Sequence, residues 1–117
     1  IALDGSYAHP YVCQALIYYK QGTVDEAMRL YGIAKILLES RMKAGNQGFW
    51  DLYHLGEIYL VSDDIEKAES YYKNAVSMNS AREVIRSILY RLDMLKSSPV
   101  SPDNIDKMIH ILQSNLR

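Results

Sequence analysis

Few side chains in this 117-residue chain are of a type that does chemistry, and their spacing argues against a reaction centre. His9, His54 and His110 fall in three different predicted helices, none with a second ligand at metal-binding spacing, so the pattern predicts no metal site. No phosphate loop, dinucleotide fingerprint, zinc-protease helix or nucleophile elbow occurs. The expectation is therefore a protein without cofactor and without enzymatic activity. Asp63-Asp64 sits where one helix turns into the next and reads as a helix cap rather than a catalytic carboxylate pair. The single cysteine, Cys13, has no disulfide partner in the chain, which fits a reducing, cytoplasmic setting; its predicted role is a small, inert packing residue. Arg82, Arg86, Arg91 and Lys96 make one side of a helix basic, but Glu83 and Asp93 interleave with them. With 13 basic and 14 acidic residues the whole chain is near neutral, so a solvated face is expected rather than a nucleic-acid or membrane surface.

The elements that must position these residues are helices. Pro10 suits a first helical turn. Thr23-Val24-Asp25-Glu26 reads as a capping box, with Asp63 to Glu66 and Ser80 to Glu83 as variants, and Ser101-Pro102-Asp103 reads as the start of the last helix. Helices are predicted at about 9–21, 24–43, 48–61, 64–78, 81–96 and 102–116, with Gly45 to Gly48 breaking the second from the third. The last two carry apolar faces, Val84, Ile85, Ile88, Leu89, Leu92 and Leu95 on one, Ile105, Met108, Ile109, Leu112 and Leu116 on the other. No apolar run of transmembrane length occurs.

A repeat organises the first four helices. Ala15, Tyr18, Gly22, Ala27, Tyr31 and Ala34 return 41 residues later as Gly56, Tyr59, Asp63, Ala68, Tyr72 and Ala75. Small residues let two helix axes approach, and a tyrosine from each helix fills the space beside that contact, so Tyr18, Tyr31, Tyr59 and Tyr72 are all assigned to packing. The set Leu52, Leu55-Gly56, Tyr59, Ala68, Tyr72 and Ala75 resembles the tetratricopeptide repeat, and Tyr11, Ala15, Tyr18, Gly22, Ala27, Tyr31 and Ala34 resemble a second copy. Gln14 departs from the family's usual leucine, and Glu39 and Ser80 stand where it often has proline.

The resemblance implies an all-α fold, a right-handed array of three antiparallel helical hairpins in one domain: repeat 1 at about 8–44, repeat 2 at about 48–80, and an atypical hairpin or cap at about 81–117. It also implies a concave groove lined by the first helix of each hairpin. Carried onto this sequence, the groove residues are His9, Val12, Leu16, Tyr19 and Lys20, then Trp50, Tyr53, His54, Glu57, Leu60 and Val61. Val12, Leu16 and His54 stand where chaperone-binding members carry a carboxylate clamp, so a chaperone tail is not the expected ligand. The expected function is a non-enzymatic protein–protein interaction module holding a partner peptide or helix. The alternatives are a sensor of a short signalling peptide fused to an effector domain, or a scaffold that self-assembles as a homo-oligomer. The start at Ile1 suggests a piece of a larger protein.

Overall fold

A computed structural model describes residues 8–116. The chain folds into α1 (Ala8–Lys20), α2 (Val24–Lys43), α3 (Phe49–Val61), α4 (Ile65–Met78), α5 (Arg82–Lys96) and α6 (Ile105–Gln113), with no strand among the described residues. Successive helices pair as three hairpins. In the second, Gly56 allows the contact: a Cβ there would stand 3.0 Å from the ring of Tyr72, a fully buried side chain. Ala15, Ala27, Ala34, Ala68 and Ala75 are likewise buried, as the small-residue pattern requires.

The repeat extends to the backbone, even at Gly22 and Asp63, where the residue types differ. Both take a left-handed conformation, φ 87° and φ 63°. Around them the same bonds recur: Gly22 N–H donates to Tyr19 O and Thr23 N–H to Tyr18 O, as Asp63 N–H donates to Leu60 O and Asp64 N–H to Tyr59 O. This is the helix-ending motif in which the left-handed residue turns the chain back on the last carbonyls, and glycine adopts it without a Cβ penalty.

The expected caps are not the ones that form. Thr23 makes no side-chain cap, and Glu26 pairs with Arg29 instead. Asp64 rather than Asp63 accepts from the α4 backbone, at Lys67 N, because Asp63 is committed to the left-handed turn. At α5 it is Asn79, not Ser80, whose side chain accepts a backbone N–H, from Ala81. The last helix starts three residues later than predicted: Asn104 adopts φ 65° and breaks the helical path.

The array is closed rather than open. α5 packs on α1 as well as pairing with α6, and α6 packs on α4, where Lys107 Nζ meets Glu69 at 2.7 Å. The radius of gyration is 13.2 Å, the size of an ordinary globular chain of this length. α3 lies at the centre, buried from Asp51 to Leu60. No described helix is long and apolar enough to cross a membrane.

Candidate functional site

Along α3 the polar residues Asp51, His54 and Glu57 recur every third position, so they form one stripe on a helix that is otherwise apolar. Each member finds a partner on a different helix. Arg41 Nε of α2 donates to Asp51 Oδ2 at 2.7 Å, and the same oxygen accepts from Gly48 N–H at 3.1 Å, fixing the start of α3. His54 Nε2 lies 3.3 Å from His9 Nδ1 of α1. Glu57 accepts from Arg91 of α5 through both oxygens, at 2.7 and 3.0 Å, and from the Tyr31 hydroxyl of α2 at 2.6 Å. Arg91 Nη2 also donates to the Val12 carbonyl at 3.3 Å.

Burial by itself would raise the Glu57 carboxyl, but the Arg91 guanidinium and the Tyr31 hydroxyl hold it below the usual carboxylate range. Burial pushes the His54 imidazole down to about 4, so it is neutral at pH 7. Cys13 Sγ stands 3.4 Å from His9 Nε2 and 3.9 Å from Arg91 Nη1. The guanidinium only donates, so it takes a sulfur lone pair. The sulfur keeps a second lone pair and its proton, so toward His9 Nε2 it can either donate or accept. His54 Nδ1 is buried without a hydrogen-bond partner.

At the mouth of this stripe lies a cavity of about 550 Å³. Phe49, Trp50 and His54 form an aromatic wall, Phe49 and Trp50 with ring centroids 4.9 Å apart and Trp50 stacked toward His54. His9, Arg41, Asp51 and Arg91 line the rest, with Gly48 and Ser87. Among the described residues only the Nε of Arg41 is engaged, leaving the two terminal nitrogens of its guanidinium for a ligand.

The expected groove residues divide. His9, Trp50 and His54 come together at this cavity. Val12, Leu16, Tyr19, Tyr53 and Leu60 are buried in the core instead of facing an open groove, Val61 is half-buried, and Glu57 is buried in its ion pair. The closure of α5 over α1 removes the concave surface on which those side chains would have lain. Tyr53 is tied to Asn79 O through its hydroxyl. Lys20 is exposed in the last turn of α1 and is no part of the cavity wall.

Three other expectations are corrected. Arg91 is not on a solvated face but is largely buried in its pair with Glu57, whereas Arg82 and Arg86 are exposed. Cys13 is half-buried among polar groups rather than an apolar packing residue. Tyr18 is 37% exposed, while Tyr31, Tyr59 and Tyr72 are buried as expected.

The sequence reading missed Arg41, Gly48, Phe49, Asp51, Ser87 and Arg91 as parts of the site. For Arg91 a signal existed: it lies three residues after Ile88 and four before Leu95, within the apolar stripe of α5. Among the described residues no group of three or more His, Cys, Asp and Glu side chains is placed to hold a metal ion. Comparison with family models, with curated proteins and with solved structures finds no match.

Proposed function

We propose that this chain is a non-enzymatic protein-interaction module, a tetratricopeptide-like right-handed array of three hairpins, that takes a partner's peptide or helix by seating one of its side chains in the cavity beside Trp50. The observation that carries the reading is the division of labour in that cavity. Its ionised groups are already paired, Arg41 with Asp51 and Arg91 with Glu57, so none is free to act as an acid or base. What is unspent is an aromatic wall, the terminal N–H donors of Arg41 and the unpartnered Nδ1 of His54. Aromatic area with a few fixed donors is the composition of a recognition pocket rather than of a centre for turnover. Closure of the array limits the partner to a single anchor, and micromolar affinity follows from so small a contact.

Trp50 is the chain's one tryptophan and is 41% exposed, so its fluorescence reports on the cavity directly. Panning a random peptide library on the immobilised chain is expected to return sequences that shift Trp50 emission and that no longer bind a Trp50→Ala variant. Recovery only of peptides indifferent to Trp50→Ala would remove the cavity from the binding reading.

A further inference from the structure

The internal repeat makes it possible to ask what a face of the first hairpin lacks by looking at what covers the same face of the second. Gln14, Ile17 and Tyr18 of α1 correspond to Leu55, Ile58 and Tyr59 of α3, 41 residues on. On α3 these positions are 0%, 2% and 5% exposed, and α2 packs against this helix. There the Tyr59 hydroxyl donates to Glu39 Oε2 at 2.9 Å, and Lys35 Nζ stands 4.9 Å from the centre of the same ring. On α1 the corresponding face is open: Ile17 is 51% and Tyr18 37% exposed, around a shallow hollow that Gln14 and Gln21 complete. The two turns that end α1 and α3 have the same left-handed residue and the same hydrogen bonds, so the two helices present these residues from equivalent backbones.

We propose that the outer face of α1 is a docking site for an amphipathic α-helix of a partner, one that presents a carboxylate to the Tyr18 hydroxyl and, four residues before it, a lysine over the Tyr18 ring. The occupant is specified by what Lys35 and Glu39 of α2 already do for Tyr59: the lysine is drawn to the ring face and the carboxylate accepts from the phenol. Ile17, where buried Ile58 stands on α3, supplies the apolar floor. Arg29 lies within electrostatic reach of Tyr18 but is paired with Glu26, which stands 41 residues before Lys67, so the α1 face lacks the cation that Tyr59 has over its ring at 5.1 Å. The site lies on α1 away from the Trp50 cavity and does not depend on what that cavity binds.

The test uses a synthetic capped peptide of residues 24–43, which carries Lys35 and Glu39 at the required spacing, titrated into the isotopically labelled chain and followed by amide NMR. Shifts are expected at Gln14, Ile17, Tyr18 and Gln21. Affinity is expected to fall roughly fivefold on Glu39→Leu in the peptide, the loss of one side-chain hydrogen bond, and by more than that on Tyr18→Ala in the chain, which also removes the ring under the lysine. Ile17→Lys, a change at a half-exposed site that leaves the core intact, is expected to abolish the shifts and covers the case in which Tyr18→Ala disturbs folding. Shifts centred on Tyr59 or on Trp50, or no shifts at all, would overturn the assignment. So would a concentration-dependent doubling of mass that Ile17→Lys removes, because the occupant would then be a second copy of the chain.

Discussion

Replacing Glu57 by leucine tests whether the third hairpin is held shut by the ion pair at the centre of the molecule. The substitution leaves the Arg91 guanidinium, with a side chain only 13% exposed, facing an apolar group, and takes the acceptor from the Tyr31 hydroxyl. Stranding one half of a buried pair costs about 3–5 kcal/mol. For a domain of this size the unfolding entropy corresponds to about 4 °C per kcal/mol, so the melting temperature is expected to drop by roughly 12–20 °C. The informative variant is the double one, Glu57→Leu with Arg91→Met. With both charges gone no uncompensated ion remains, and replacement of a whole buried pair by apolar groups is often close to neutral. Urea denaturation followed by far-UV circular dichroism on the four proteins closes the cycle. A double variant more stable than either single one, with a coupling of about 2 kcal/mol or more, is the expected outcome. Singles that add would refute the reasoning, since each side chain would then be acting alone.

Two further predictions concern pH and glycine. His54 has its folded value pushed from 6.5 down to about 4 by burial, against the pull of Glu57 and with Arg91 and His9 acting in the same direction as burial. The unfolded chain therefore binds the extra proton first. The stability involved is complete above pH 6.5 and is lost as pH falls toward 4, an effect of about 3 kcal/mol. Melting curves across that window should flatten in His54→Gln, while the separate loss from Glu57 below about pH 4.3 remains. Gly56→Ala should destabilise by about 1–2 kcal/mol, overpacking against Tyr72 outweighing the gain in helix propensity. Gly32→Ala, on the exposed side of α2 with no neighbour within 4 Å, should instead stabilise by up to about 1 kcal/mol, and urea midpoints compare the two directly.

Much of the architecture was legible because it rests on local rules. The six helices and the tight Gly56–Tyr72 contact follow from apolar periodicity and from the spacing of small residues. The 41-residue offset also contained part of the site: it sets His54 beside Cys13 and Trp50 beside His9 in adjacent helices, and the structure joins His9 to both Cys13 and His54. His9 and Cys13 stand i, i+4 on one helix, a second signal of that cluster and a correction to the expectation that His9 has no ligand-type side chain at helical spacing. What was not legible is closure. No repeat register relates α5 to α1, so neither the contact between them nor the reach of Arg91 to Glu57 and Val12 could be read from spacing. Burial of the expected groove residues is the direct result. Capping failed for a different reason: Asp63 is committed to a left-handed turn and Ser80 has a cap-competent neighbour in Asn79, while nothing in the structure explains why Thr23 makes no cap.

The bond from Arg91 to the Val12 carbonyl has a consequence for how the molecule is made. Its two ends are 79 residues apart in the chain. At translation rates of 5–20 residues per second, α1 waits roughly 4–16 s for its partner to be synthesised. Once Met78 is made the first two hairpins are complete in sequence, yet Glu57 has no guanidinium and α1, though paired with α2, lacks the cover that α5 gives it. An ordinary stack of helical repeats lengthens one stable unit at a time, whereas this chain gains its central ion pair only when the fifth helix arrives. A ribosome pausing before α5 would hold a nascent protein with both first hairpins made and Glu57 still unpaired.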